Sequence, residues 1–404
     1  MSKITLISAY FYPENTAIGL YNTQMVKALE SHGHEVSVIT GFPCYPQWEI
    51  WDAYKTKPTF FTEYIGKTKV YRYKQYVPKT PSFLKRILLL LDFTLGSFSN
   101  VFKIKDCDIV ISVVPHSSTM LLGWILKKRK SAKLWHHVQD FEFDAAKQSG
   151  ISKRTNIVSN TFYGLLFKIE SFLLNRADIN STISYKMIEK LEQKSRVATF
   201  YFPNWIDADK IDPAKSHTHP YLRAKALKIL YSGNIGDKQD WNFFIAFAEA
   251  LKDKDAEIII VGDGAKKEWL CKNIEGLDNT TYYPPVEYNE LNDLLCSADL
   301  HVLFQKDDVV DSVMPSKLLG MMASATPSLI TGNAESEVKK ILDESQGGLY
   351  ISDQNLEKCV AYVDHLMSSK TTSVATGEKA RDYIIDKFSI NKVLPSFMSK
   401  LKAI

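Results

Sequence analysis

Two segments of this sequence bring together groups that could bind an anion. In Pro315-Ser316-Lys317 a proline opens a helix-like stretch that runs to small residues before Pro327. A helix start of this kind offers unpaired N–H donors, here beside a hydroxyl and an ammonium, which together suit a phosphate. Gly233-Asn234-Ile235-Gly236, with Lys238 close behind, follows one apolar run and precedes another. Its glycines allow close backbone approach to a ligand, and Lys238 adds a point charge. Each segment alone also reads as an ordinary helix start with a solvated lysine. Two of them in one region, both beyond strand ends, favour a phosphate-bearing ligand.

Other residues carry titratable chemistry. Asp307, Asp308 and Asp311 form an acidic cluster, either a solvated loop or a metal site. The spacing lacks the glycine and the oxygen ladder of a calcium loop. The favoured reading is no metal, with Asp311 hydrogen-bonding sugar hydroxyls. His137 ends an apolar run, where an imidazole can donate to developing negative charge or relay a proton. It could equally be a structural histidine, and His116 has the same two readings. Glu14 and Asp140, on loops, are carboxylates available as an acceptor base.

These groups need elements to position them. Lys3–Ala9 is a short apolar run and Tyr10–Gly19 a loop. Leu20, Met25, Val26 and Leu29 then follow at helical spacing before a strand at Glu35–Thr40. This order begins a parallel, doubly wound sheet. Asp108–Val114, Lys133–Val138 and Asp178–Ser184 read as further buried strands. Pro203–Asp207 breaks the pattern, and the polar stretch to Arg223 reads as a linker. Strands at Lys228–Tyr231, Glu257–Val261, Thr281–Tyr283, Leu300–Phe304 and Ser328–Thr331 build a second unit. Helices are expected at about 241–252 and 317–324, and an amphipathic one over 378–401. The expected architecture is α/β, with two facing doubly wound, Rossmann-like domains at 1–205 and 206–384. A C-terminal helix over about 385–404 would pack back on the first. Ligands would lie in an interdomain cleft, beyond the carboxyl ends of the strands.

At 404 residues the chain exceeds one ordinary core. With 45% hydrophobic and 24% charged residues it is a folded protein, not a disordered one. Five scattered cysteines without a CxxC pair suggest reduced thiols in a cytosolic protein. The N-terminus enters a strand at once, without the layout of a signal peptide, and no run approaches about 18 apolar residues. Charge is unevenly divided: 27 basic and 16 acidic residues precede position 206, a net of +11. The remainder carries 23 basic and 30 acidic residues, a net of −7. The basic half suits nucleic acid or anionic lipid. No nucleic-acid motif accompanies the charge, so no nucleic-acid partner is expected. Lys85 and Arg86 open a segment with Leu89 near its middle that continues through Phe98 and Phe102 to Lys103 and Lys105. It is either a buried core helix or an interfacial one. Lys127-Lys128-Arg129-Lys130 is a second cationic patch.

Read in order, these segments resemble the GT-B glycosyltransferases of family 4 over essentially the whole chain. The shared features are Tyr10–Pro13, Gly19, Gly33-His34-Glu35-Val36, Pro203–Asp207, Gly233–Lys238, Val261–Gly264 and Tyr283–Val286. Phe42-Pro43, Tyr45-Pro46, Val138-Gln139-Asp140 and Pro315–Lys317 are similar to the subgroup that builds colanic acid and O-antigen, including L-fucosamine transferases. The resemblance implies a retaining, metal-independent glycosyltransferase without a cofactor. Its donor would be a nucleotide sugar, UDP-N-acetyl-L-fucosamine, and its acceptor a polyprenyl-diphosphate-linked GlcNAc in O-antigen or exopolysaccharide biosynthesis. It would work as a cytoplasmic, peripheral protein on the inner face of the bacterial plasma membrane. Gly19, Gly233, Asn234, Lys238, Ser316 and Lys317 would hold the diphosphate, with Val286 and Glu287 beside the base. His137, Asp140 and Asp311 would surround the transferred sugar and acceptor. His116, Lys85, Arg86 and Leu89 would belong to the acceptor and membrane side. Three positions depart from the family pattern. Its Glu-x7-Glu pair falls here on Ser312 and Gly320, Asn234 stands where many members have Arg, and Asp240 replaces a common Gly. The same architecture could also serve a nucleotide-sugar 2-epimerase or a non-catalytic membrane-bound scaffold.

Overall fold

Strands rich in apolar residues need cover on both faces, and connecting helices supply it. The computed structural model describes residues 1–15, 17–45, 47–80, 83–148, 157–223, 226–307 and 316–404. The chain divides into two units, Met1–Pro203 with Leu394–Ile404, and Asn204–Val393.

The first unit runs β1 (Lys3–Ile7), α1 (Ala17–Ser31), β2 (Glu35–Gly41), α2 (Asp52–Lys55), β3 (Phe60–Ile65) and β4 (Thr68–Tyr73). It continues with α3 (Phe83–Val101), β5 (Ile109–Val114), α4 (Ser118–Lys130), β6 (Lys133–Val138) and α5 (Glu142–Gln148). Then come α6 (Ile157–Leu174), β7 (Ile179–Thr182), α7 (Tyr185–Lys194) and β8 (Thr199–Tyr201). The eight strands lie in the order β3-β4-β2-β1-β5-β6-β7-β8, parallel except for the antiparallel pair β3–β4. Strand order reverses between β1 and β5, which puts the loops after these two strands at the switch point where doubly wound sheets bind ligands.

The second unit holds β9 (Leu227–Ser232), α8 (Trp241–Ala250), β10 (Ala256–Val261), α9 (Lys267–Ile274) and β11 (Thr280–Tyr283). After α10 (Leu291–Cys296) come β12 (Leu300–Phe304), α11 (Ser316–Ala323), β13 (Ser328–Thr331), α12 (Glu337–Ser345) and β14 (Gly348–Ile351). The chain closes with α13 (Leu356–Ser368), α14 (Lys370–Phe388) and α15 (Ile390–Lys402). Six parallel strands follow the order β11-β10-β9-β12-β13-β14, so the switch point falls between β9 and β12.

Two expectations need correction. The single helix over 378–401 is broken at Ser389, because Ile206 pairs with that residue as a β-bridge. The Ile206 N–H donates to Phe388 O and the Ile390 N–H to Ile206 O, which leaves the helix ladder no room to continue. Leu89 is a core residue, 3% exposed, because α3 turns it towards the sheet; Leu88, Leu91 and Leu95 point outward instead.

In the first unit, the Phe397 ring of α15 stacks on Phe202 at 4.7 Å and meets Trp135 edge-on at 5.0 Å, and all three are buried. Removing a fully buried aromatic ring costs about 3–5 kcal/mol. Phe397→Ala should lower unfolding stability by about 3 kcal/mol in a denaturant titration. A loss below about 1 kcal/mol would mean that α15 does not anchor this unit.

Candidate functional site

In the second unit the geometry converges on Lys317, at the start of α11. Its Nζ lies 3.0 Å from the Tyr231 hydroxyl and 4.6 Å from the centre of that ring. Tyr231 ends the buried stretch of β9, and its own O–H donates to Asn234 O at 2.6 Å. One phenol therefore links the lysine to the glycine turn. Among the described residues no carboxylate pairs with Lys317. Burial without a counter-charge pushes its pKa down to about 8.

The turn after β9 is built for close approach. Gly233 has φ +132°, and an added Cβ would come within 3.2 Å of Lys317 Cε and Nζ. A Cβ on Gly262, after β10, would meet Gly233 O at 1.9 Å, so the two turns pack backbone on backbone. Gly233 N–H donates to Val261 O and Ile235 N–H to Asp263 O, which ties them in register. Asn234 and Lys238 are exposed on this loop. Asp240 caps α8 by accepting from the Phe243 N–H at 3.0 Å, which gives the residue replacing the common Gly a structural task. Val286 and Glu287 follow β11, two strands away from β9, and Glu287 is exposed.

Gly320 lies one turn into α11, where an added Cβ would meet Leu295 Cδ1 at 3.1 Å. A Cβ there needs only a small shift of the Leu295 methyl. Asp311, with Asp308 and Pro315, falls outside the described residues, and so does the side chain of Ser316. Among the described residues, no group of three or more His, Cys, Asp or Glu could hold a metal ion.

In the first unit the loops after β1, β2, β5 and β6 meet. The Glu14 Oε1 accepts from the Cys44 and Tyr45 N–H groups, both at 2.8 Å, fastening the β1 loop to the β2 loop. Glu14 is 2% exposed, and burial pushes its pKa up to about 7. An added Cβ on Gly19 would meet Glu14 O at 2.5 Å, so this glycine is required by the fold of the loop itself. The arrangement suits Glu14 to organising the loop more than to meeting an acceptor.

His116 is buried between Tyr10 and Phe93, with ring centroids 5.6 and 5.7 Å away, and burial holds its pKa down at about 4. His137 is buried deeper. It shares a hydrogen bond with Ser181 Oγ at 2.9 Å, rests on Phe202, and has its pKa pushed down to about 3. A neutral imidazole held between Ser181 and Phe202 fits the structural reading of this histidine. Asp140 is half-buried in the loop after β6.

Two residues escaped the sequence reading. Tyr231 is one, because nothing in a strand-end tyrosine signals a partner in the helix start of residue 317. Glu142 is the other: its carboxylate accepts from the Ser117 N–H at 2.5 Å and the Ser117 hydroxyl at 2.7 Å, tying the β6 loop to the β5 loop. Burial raises its pKa, while the charge of Arg86 opposes that shift. Arg86 itself sits 5.5 Å over the Trp48 ring. Tyr10, Tyr45, His116 and Glu142 thus gather near the switch point of this sheet, with Arg86 at the start of α3 beside them.

The lowered Lys317 pKa has a measurable sign. Below about pH 8 the ammonium is already charged, and affinity for a diphosphate is insensitive to this group. Above it, binding must return a proton to Lys317, so UDP affinity should fall about tenfold per pH unit in calorimetry. Lys317→Met should bind weakly with no such slope, and Tyr231→Phe should move the fall to lower pH. A wild-type affinity that is level from pH 7 to about 9.5 would remove Lys317 from the site.

Comparison with known proteins gives the family and the fold. The family described as glycosyl transferases group 1 matches residues 226–369, which contain the Gly233 turn and Lys317. The putative colanic acid biosynthesis glycosyl transferase WcaI of Escherichia coli K12 is 32% identical over 414 aligned positions, covering 99% of this chain and 100% of that protein. Among solved structures, sucrose-phosphate synthase of Thermosynechococcus elongatus superposes with a TM-score of 0.76 at 14% identity, covering 100% of this chain and 99% of that one. HepE of Anabaena, solved with UDP and glucose, gives 0.67 at 12% identity, with both chains covered in full. The chain has the GT-B fold and belongs to the glycosyl transferases group 1 family.

Proposed function

We propose that this protein is a retaining glycosyltransferase that moves a sugar from a UDP-linked donor to a polyprenyl-diphosphate-linked GlcNAc during bacterial surface-polysaccharide synthesis. The observation that carries this reading is the ammonium of Lys317 facing the Gly233 turn, bonded to the Tyr231 hydroxyl and without a carboxylate partner among the described residues. Sugar transfer from a nucleotide donor breaks the bond between the anomeric carbon and a phosphate oxygen, so negative charge grows on the departing diphosphate. Lys317, the start of α11 and the nearby Lys238 supply fixed positive potential for that charge without a metal ion. Within the second unit Asn234 and Ser316 complete the proposed diphosphate contacts, with Val286 and Glu287 proposed beside the base; Gly19 is proposed as a donor contact on the family resemblance alone. Asp140 and Asp311 remain the proposed polar partners of sugar and acceptor.

The UDP bound to HepE and the colanic acid name of the Escherichia coli relative support the donor class and the pathway. UDP-N-acetyl-L-fucosamine is the donor proposed, following the resemblance of Phe42-Pro43 and Pro315–Lys317 to L-fucosamine transferases. The basic first unit, with Lys85 and Arg86 at the start of α3, suits an acceptor presented at the inner face of the plasma membrane.

The test is incubation with a panel of nucleotide sugars and a short GlcNAc-diphospho-lipid, followed by product mass. A mass gain of one N-acetylfucosamine is expected; epimerised donor with unchanged acceptor would replace transfer by epimerisation. Lys317→Ala should lower kcat about a hundredfold or more, the scale seen when one charge-stabilising donor is lost. Glu14→Gln should keep most activity, since an amide oxygen can accept the same two N–H bonds. A loss of several orders of magnitude in Glu14→Gln would instead make Glu14 the acceptor base.

A further inference from the structure

We infer that α3, α4 and α6 present one continuous docking surface for an anionic lipid bilayer, with α6 supplying half of it. On α3 the side chains of Leu88, Leu91, Leu95, Phe98 and Phe102, just past its end, are exposed, Leu95 by 74%. On α6 an equivalent row, Phe162, Leu165, Ile169 and Phe172, is exposed, Leu165 by 56%. Both rows advance in steps of three and four residues, the mark of one apolar helix face, and here that face looks outward instead of into the core.

The two rows belong to the same side of the sheet. The connections from β4 to β5, β5 to β6 and β6 to β7 all step across the sheet in one direction, so right-handed crossovers put α3, α4 and α6 on one face. Side chains of α4 bridge the rows. Arg129 lies 4.2 Å over the Phe102 ring and donates to Val101 O at 2.9 Å, closing the end of α3. Trp124 meets Phe172 edge-on at 5.5 Å, and Arg176 covers Phe172 at 4.2 Å. The far end of each apolar row is therefore finished by an arginine stacked on its last aromatic ring, a cation at the edge of an apolar strip.

Charge selects the occupant. Helix α4 carries no carboxylate. On α3, Asp92 accepts from the Tyr73 hydroxyl and the Tyr76 N–H, and on α6, Glu170 is buried against Lys194. Lys103, Lys128 and Lys168 are exposed around the same face with Arg129 and Arg176. A second copy of this surface would bring cations against cations. Anionic headgroups pair with them while acyl chains receive the apolar rows. The surface extends the membrane contact proposed above from α3 to α6 and rests on that reading for its role, whereas lipid binding itself is independent of catalysis.

The full chain should float with vesicles containing phosphatidylglycerol and stay behind with vesicles of phosphatidylcholine alone. Binding should weaken severalfold between about 0.05 and 0.5 M salt without vanishing, since the apolar rows are unscreened. The pair Leu165→Glu with Ile169→Glu should lower vesicle partition about tenfold or more while leaving UDP affinity and melting temperature at wild-type values. The pair Arg129→Glu with Arg176→Glu should remove the preference for anionic vesicles without touching the apolar rows. Wild-type vesicle binding by the α6 pair would overturn the inference. So would a concentration-dependent dimer in light scattering that the α6 pair dissolves, for then a second copy covers the face. Vesicle binding by a wild type that transfers no sugar from any nucleotide donor to the short GlcNAc-diphospho-lipid would defeat the catalytic reading and leave this surface standing.

Discussion

A lysine ammonium held against a phenol, with no carboxylate beside it among the described residues, sets the terms for the second unit. The Lys317 ammonium would be better solvated in water, and the fold holds it beside the Gly233 turn, where the missing Cβ leaves it room. The glycines at 233 and 262 follow from the same demand, because any side chain on either would strike the neighbouring turn or the lysine. The Tyr231 hydroxyl uses its oxygen for Lys317 and its hydrogen for Asn234 O, so the position of the charge and the shape of the turn are coupled. An anion that enters this site meets a field already aligned, which is the form of electrostatic stabilisation that speeds loss of a diphosphate.

The first unit solves a different problem by similar means. Its carboxylates are used to fasten loops: Glu14 joins the β1 and β2 loops, and Glu142 joins the β5 and β6 loops. Glu14 is buried and Glu142 half-buried, and both are pushed towards protonation, so each carries some electrostatic cost in tying its loops together. The aromatic residues between them, Tyr10, Tyr45 and His116, are in ring contact at the switch point. Arg86, at the head of α3, reaches the same cluster.

Much of this was legible in the chain because parallel strands buried on both faces leave unbroken apolar runs. Lys133–Val138, Leu300–Phe304 and Ser328–Thr331 appear in the structure with the bounds their residues suggest. The Gly233 turn and Lys317 were visible because two such helix starts, each ordinary alone, fall in one region beyond strand ends. What was hidden depends on contacts between distant residues. The break at Ser389 requires Ile206, the part played by Tyr231 requires Lys317, and the silencing of His137 requires Ser181 and Phe202. Leu89 shows the limit of composition, since neighbouring leucines on one helix divide between core and surface by its phase alone. Gly320 remains a true subtraction: Leu295 could make room for a side chain there, and the chain does without one.

Lys317, with no carboxylate partner among the described residues, is the group whose charge a diphosphate would balance under the proposed function. Titration of its side chain by NMR, with the protein carrying isotopically labelled lysine, reads this directly. The account predicts a midpoint near pH 8 for the free protein, rising towards the ordinary lysine range when UDP is bound. A midpoint near 10.4 in the free protein, or one that UDP leaves unmoved, would contradict it.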